Sequence, residues 1–516
     1  MSRSLAPTTG HTTTGHTTTG HTATTPSSPA PTRAGATTTT RLAPATTVPR
    51  SPTTAPPRTP TPRSPAGNVA GAPASDWLAY HQGGSAFPIE ARLGEGAPTP
   101  SLTDPHVAWR AGLPAGVYAE PLAADGLVLV ATEADTVVAL RATTGSEVWS
   151  VALGTPVARP ADGLACGDID PLGITSTPVI DPSRNELFVV GEVQAAPGAE
   201  GISFVLAGIA IPSGQVVLRR SVVVPGMDVG YLQQRAGLAL AGGRVLIGFG
   251  GVAGDCNAYH GYVVSAPESG LGPVDAFEVA SLPGDNGGAV WAPSGPAVAD
   301  GPGGPVAYVA TGNSAYGRPG LPYDDSDGVL ALTPAMHLVS FFAPSDWPAL
   351  SAHDADLGST GPTLLPGGLV FEAGKSLGGV TTAFLLRASA LGGIGGAIAA
   401  TQICVPGSGG VFGGTAEAGG IVYVPCTSGL QAVAAGVDGL RVLWQGPSGA
   451  VGPPVLAGGL VWSIGTSTGL LYGLDPATGA LLVALPVGPV EHFATPTPAL
   501  GLLVVPTSTG VVAFSA

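Results

Sequence analysis

From Asp76 onward the chain alternates short apolar runs with Gly-centred turns, and the same order of events recurs. A Pro or small residue comes first, then two or three apolar residues, a turn, a strongly β-prone run, and often a Thr-Gly turn followed by Trp. The clearest copy begins Glu120-Pro121-Leu-Ala-Ala-Asp-Gly126-Leu-Val-Leu-Val-Ala-Thr-Glu133. It continues Thr136-Val-Val-Ala-Leu-Arg-Ala-Thr-Thr-Gly145 and ends Glu147-Val-Trp149. Runs this short, rich in Val and Leu and bounded by tight turns, predict four strands per copy.

Copies start at Pro121, Pro178, near Gly237, Pro296, Pro362, near Ala416, Pro454 and Pro498. Eight repeats of a four-stranded antiparallel unit, spaced 38 to 66 residues apart with the longer steps read as insertions in blade loops, predict an all-β, eight-bladed β-propeller. The last copy stops after its third strand, Gly510-Val-Val-Ala-Phe514, where complete copies go on to a Trp-bearing fourth. Val107-Ala-Trp109-Arg110 precedes the first copy and has the character of the missing strand. It is expected to complete the C-terminal blade and close the ring, leaving no sheet edge free.

Composition separates two regions. Residues 1–75 are rich in Thr, Pro and Ala, repeat Gly-His-Thr-Thr-Thr, and carry six Arg with no acidic residue. Such a segment cannot bury apolar surface and reads as a disordered tail, with His11, His16 and His21 as part of it. Residues 76–516 form the predicted propeller and hold all 34 acidic residues and a single lysine, Lys375. An acidic domain lacks the clustered cations that phosphate neutralisation requires, so nucleic acid is excluded as a partner. No apolar run approaches the 18 or so residues of a membrane helix; Ile202 to Ile211 is the nearest. Low charge, 10% of residues, follows from blades buried on both faces.

Cys166, Cys256, Cys404 and Cys426 show no metal-type spacing and are expected to form two disulfides; three connectivities are open, of which Cys404 with Cys426, leaving Cys166 with Cys256, is favoured. That pairing implies an oxidising compartment, hence an extracellular or cell-surface location, with the Thr/Pro tract as spacer. No export signal is visible, and the true start is expected upstream. If Cys166 and Cys256 pair, Asp168 and Asp170 meet Tyr259 and His260 on one rim. No Ser-His-Asp set is evident, and the glycine runs 392–396 and 407–414 read as turns because no Lys-Ser/Thr follows them.

A propeller binds at the mouth of its channel, so polar residues at repeat boundaries are the candidates. Three clusters qualify. The first runs from Trp291 through Thr311-Gly312-Asn313 to Asp324, Asp325 and Asp327, whose acidic triplet reads as a solvated turn. The second is His353-Asp354-Ala355-Asp356, and the third is Glu372-Ala-Gly-Lys375.

These repeats, of the form "VYVAT…VYALDATTG…W", resemble the pyrroloquinoline-quinone (PQQ) repeat of the quinoprotein alcohol dehydrogenase-like propellers. The order Trp, Thr-Gly-Asn, Ser-Asp-x-Val-x-Ala-Leu, Asp-x-Asp, Ala-Gly-Lys is similar to that of the family's alcohol dehydrogenases, including the polyvinyl-alcohol type. The resemblance covers residues 77–516. It implies Asn313 as a calcium ligand, Asp356 as the base that takes the alcohol proton, and Lys375 and Trp291 as cofactor contacts, with PQQ and calcium as cofactors. Three departures accompany it. No two cysteines are adjacent, no Cys-x-x-Cys-His is present for haem, and Ala355 stands where the dehydrogenases carry Trp before the catalytic Asp. Many propellers of this kind bind no quinone and act as scaffolds, as do the assembly lipoproteins of the bacterial outer membrane.

The sequence is accordingly read first as an exported or surface-tethered binding or scaffolding propeller, monomeric, with a protein or cell-surface polymer as partner. A calcium- and PQQ-dependent alcohol dehydrogenase is the second reading, and a carbohydrate- or polymer-binding propeller the third.

Overall fold

The computed structural model describes residues 76–82, 102, 104–159, 166–255, 257–315, 317 and 320–516. The Thr/Pro-rich stretch 1–75 and Cys256 lie outside them. Among the described residues the strands form eight sheets, antiparallel apart from one added strand, and the inner strand of each blade begins within about two residues of a repeat start read from the sequence. The first sheet runs outward through Leu122–Ala124, Leu127–Thr132, Thr136–Arg141 and Glu147–Ala152. Its second strand is buried at every residue, while its fourth is exposed or half-buried throughout. Blade-on-blade packing therefore takes both faces of the inner strands, which explains why they read as continuous apolar runs.

Closure occurs as the sequence predicts. The strand His106–Gly112 pairs antiparallel with Gly510–Ser515, so the C-terminal blade takes its outermost strand from before the first blade. Two blades carry a fifth strand: Leu232–Gln233 pairs antiparallel with Gly250–Gly251 in the third, and Gly393–Ile394, from the insertion in the fifth blade, pairs in parallel with Phe342–Ala343 of the fourth.

The recurring Trp and Thr-Gly turn prove to be two halves of one joint. Trp109, Trp149 and Trp444, on outer strands, each pack on a glycine of the following blade's turn: Gly145, Gly214 and Gly479. Their indole N–H groups donate to Ala142, Ile211 and Pro476 carbonyls at 2.7, 2.8 and 2.9 Å. A Cβ on Gly479 would stand 2.5 Å from Trp444 Cε3, and its φ of 71° is itself unfavourable for an L residue. Gly479→Ala is expected to lower stability by about 1–3 kcal/mol through this overpacking, read as a lower denaturation midpoint.

The disulfide Cys404–Cys426 links the last strand of the fifth blade to the second strand of the sixth, and both cysteines are buried. The pair Cys166–Cys256 involves a residue outside those described. An added Cβ at Gly254 would lie 3.4 Å from Cys166 Sγ, so the two loops of that pairing do meet.

One feature has no counterpart in the sequence reading. Residues Asp76–Gln82 are all buried and run along the inner strands of several blades. Trp77 bridges Ala123 and donates Nε1–H to Glu120 Oε1 at 2.8 Å, Ile180 N–H donates to Leu78 O at 2.7 Å, and Tyr80 OH meets Thr495 Oγ1 at 3.3 Å. His81 Nδ1 lies 2.9 Å from Thr415 O, and Gly414 leaves the space that the Tyr80 ring fills. A seven-residue segment can reach the first, second, sixth and eighth blades together only near the ring axis. It acts as a plug for the channel, burying the His81 imidazole so that its pKa falls to about 4.

Candidate functional site

Trp291, Asp354 and Asp356 lie in connections that precede the inner strands of the fourth and fifth blades, whereas Asn313 and Lys375 follow the second strands of those blades. Trp291 precedes the inner strand Ala297–Gly301 of the fourth blade, and Asn313 follows Gly304–Ala310. The short helix Trp347–Ala352 leads into Asp354 and Asp356, and Lys375 follows Leu369–Ala373 of the fifth blade. Gly312 is needed for the approach, because a Cβ there would lie 2.4 Å from Asp356 Oδ1.

The four residues meet. Asp356 is 6% exposed, its Oδ1 accepts the Asn313 backbone N–H at 2.8 Å, and its Oδ2 lies 2.5 Å from Lys375 Nζ. The Asn313 amide lies against the same carboxylate, and its nitrogen donates to Asp356 in the orientation that gives both groups partners. Lys375 Nζ also reaches Asp354 Oδ1 at 2.9 Å and stands 5.7 Å from the centre of the Trp291 ring. Burial raises the Asp356 pKa above the ordinary carboxylate value, against the opposing pull of Lys375. Burial likewise disfavours the Lys375 ammonium, but the two carboxylates outweigh it and its pKa is raised. The ion pair thus holds a charged carboxylate ready inside a wall that would otherwise keep it protonated.

Asp324 and Asp327 do not form a solvated turn. Asp324 is 3% and Asp327 0% exposed. Ser314 and Ser326 donate to Asp324 at 2.5 and 2.6 Å, while Ser351 Oγ and Leu357 N–H donate to Asp327 at 2.5 and 3.1 Å. Burial drives the Asp327 pKa well up, followed by the field of Asp356. Asp327 therefore braces from below the 351–357 turn that carries Asp354 and Asp356.

The neighbours of this cluster carry no motif in the sequence. Phe412 and Phe493 lie 6.3 and 6.1 Å from Trp291, ring centre to ring centre. Arg235, its side chain 8% exposed, sits 5.5 Å from the Phe493 ring, donates to His492 Nε2 at 2.7 Å and lies 3.5 Å from Asp168. Burial, then the Arg235 charge, lowers the His492 pKa to about 4, so that imidazole is neutral. Asp168 lies 3.5 Å from both Arg235 and His492. Phe412 falls within a glycine run that reads as mere turn.

A planar anionic quinone fits this donor set, since Trp291 offers a ring face and Lys375 a cation beside it. Calcium does not fit the protein groups alone. It collects six to eight oxygens, whereas the side chains converging here are Asn313, Asp354 and Asp356, and the Lys375 ammonium already sits against both carboxylates. Among the described residues no three carboxylate, imidazole or thiolate groups are placed to hold a metal.

The sequence profile of the outer membrane protein assembly factor BamB matches residues 102–237. No curated protein matches the sequence. Several solved structures share the fold. The quinohemoprotein alcohol dehydrogenase of Comamonas testosteroni is 15% identical, with a TM-score of 0.62 over 86% of this chain and 81% of its own. A europium-containing methanol dehydrogenase is 14% identical, with a TM-score of 0.59 over 85% of this chain and 90% of its own. BamB of Moraxella catarrhalis is 13% identical, with a TM-score of 0.51 over 80% of this chain and 99% of its own. Among the described residues no helix is long and apolar enough to cross a membrane. Eight antiparallel blade sheets, a ring closed by the strand ahead of the first blade, and a matching profile over residues 102–237 agree, and the chain has the fold of the PQQ-repeat β-propellers.

Proposed function

We propose that the mouth of this propeller binds a planar anionic quinone of the PQQ type and oxidises an alcohol there, with Asp356 as base. The observation that carries this reading is the convergence of Trp291, Asn313, Asp356 and Lys375, spread over more than eighty residues of sequence, on one buried carboxylate. Scaffolding needs no such carboxylate, because keeping an ion pair in a wall costs desolvation that apolar residues would avoid.

Asp356 accepts the hydroxyl proton of the alcohol. The Asn313 N–H fixes Oδ1, and Lys375 stabilises the ionised form until the proton arrives. A quinone held here would supply the acceptor for the carbinol hydrogen and its electron pair, which balances the conversion of the alcohol to a carbonyl compound. Lys375 and Trp291 would hold that quinone by charge and by ring contact. Because burial holds the Asp356 pKa above the ordinary range, kcat/KM rises with pH through that titration.

The test is addition of PQQ, with and without calcium, to the purified protein. Saturable quenching of tryptophan fluorescence and alcohol-dependent dye reduction are expected. Asp356→Asn keeps the quenching and loses about a hundredfold or more of turnover. Absence of any PQQ binding removes the dehydrogenase reading.

A second reading, a binding or scaffolding module, is favoured by the BamB profile match over residues 102–237. It would be tested by affinity capture with defined outer-membrane assembly proteins. Under either reading the buried Cys404–Cys426 bridge suits an oxidising compartment outside the cytoplasm.

A further inference from the structure

Trp291, Phe412 and Phe493 form a triangle of rings with centres 6.1 to 6.3 Å apart, and all three are only half-buried. Three large aromatic side chains meeting in a core would be closed off from water; here they meet at the mouth and keep exposed surface. Their positions are fixed by backbone. Val411 N–H donates to Gly374 O at 3.0 Å, and Gly410 bridges Lys375, so Phe412 is tied to the strand end that carries the lysine. Phe493 has φ 63°, a left-handed conformation that a bulky residue seldom adopts. That backbone directs its ring toward Trp291 and under Arg235.

Charge brackets the rings. Lys375 Nζ lies 5.7 Å from the Trp291 ring and Arg235 Cζ 5.5 Å from the Phe493 ring, so a cation stands at each end of the aromatic set. Phe412 and Phe493 are inclined by only 16°, presenting nearly parallel planes. Flexible or globular anions would gain the charges but waste the planes, and neutral aromatic molecules the reverse.

We propose that Phe412 and Phe493, with Arg235, form a second wall of this site that selects a planar aromatic ligand carrying negative charge at opposite edges. This rests on reading the mouth as a quinone site and adds what decides which ligands enter. Phe412 and Phe493 supply ring contact, and Arg235 attracts the edge remote from Lys375.

Equilibrium dialysis tests it with three probes: PQQ, anthraquinone-2,6-disulfonate as a planar dianion, and citrate as a flexible polyanion. The full chain is expected to bind both planar probes and to bind citrate at least tenfold more weakly. Phe412→Leu and Phe493→Leu are each expected to weaken both planar probes several-fold, and the double variant by about tenfold or more, as loss of ring contact implies. Phe493→Tyr, which keeps the ring, retains affinity, and thermal melts verify folding. Binding of the disulfonate but not of PQQ, with the same Leu effects, upholds the wall and defeats the quinone-cofactor reading. PQQ binding untouched in the folded Leu variants, citrate binding as tight as the planar probes, or no binding of either planar probe overturns the wall.

Discussion

Deletion of residues 106–112 abolishes the folded ring. The strand His106–Gly112 is paired along its length with Gly510–Ser515, so its loss exposes the edge of a strand whose Val511, Val512, Ala513 and Phe514 are buried. Trp109 goes with it. That side chain is 7% exposed, packs on Gly145 of the first blade, and donates to Ala142 O at 2.7 Å. The strand therefore both completes the eighth blade and fastens it to the first. Trp109→Ala alone is expected to cost about 3–5 kcal/mol, as for other buried Trp truncations. The deletion adds a row of unpaired backbone groups to that loss and leaves a sticky edge. Circular dichroism melts and size-exclusion chromatography read the outcome: a deleted chain without a cooperative melt, or aggregated. A monomeric deletion variant that melts at the parental temperature would show that the ring does not depend on this closure.

That strand was legible in the sequence because it is defined by a deficit. The last repeat lacks its Trp-bearing strand, and Val107-Ala-Trp109-Arg110 is the unassigned run that supplies one. The blades were legible for a related reason: each carries its own turns and apolar runs, so each start can be read locally. The plug Asp76–Gln82 was not, since seven residues with no period gain their order from Glu120, Thr415 and Thr495, hundreds of residues apart in part. The acidic turn was misread for the same kind of reason. Asp324 and Asp327 sit among Ser and Gly and look solvated, but Ser314 and Ser351, from elsewhere in the chain, provide the hydrogen bonds that make burial tolerable. At the mouth, the motif residues came from neighbouring blades and kept their sequence order. Arg235, Phe412 and Phe493 come from other blades as isolated residues in loops, with no motif around them, and only the closed ring brings them to Trp291.

The buried carboxyl groups set an unusual pH dependence of stability. Burial, ahead of neighbouring charges, raises Glu133 to about 7, Asp135 to about 8 and Glu268 to about 7, and drives Glu120, Glu192 and Glu372 well above the ordinary value. For a carboxyl with a raised folded-state pKa, the unfolded chain gives up its proton first. Such a group stabilises the fold fully below its unfolded pKa, near 4, and that contribution disappears as pH climbs to the folded value. Buried His81 and His492, both lowered to about 4, act in the opposite sense, but only between about 4 and their unfolded pKa near 6.5. Above pH 6.5 the histidines are neutral in both states and the carboxyls act alone. Each carboxyl that still holds its proton there contributes a slope of about 1.4 kcal/mol per pH unit. The melting temperature is therefore expected to fall steadily from pH 6.5 to pH 8, by several degrees, where most proteins are flat. Asp135 is the sharpest probe, being 0% exposed with neither carboxyl oxygen hydrogen-bonded. Asp135→Asn removes one ionisation without changing the size of the side chain, so the variant should gain on the parent at pH 8 and lose part of the slope. A melting temperature that rises between pH 6.5 and pH 8, or an Asp135→Asn slope equal to the parent's, would mean that these carboxyls ionise in the folded ring and that water or a cation reaches them.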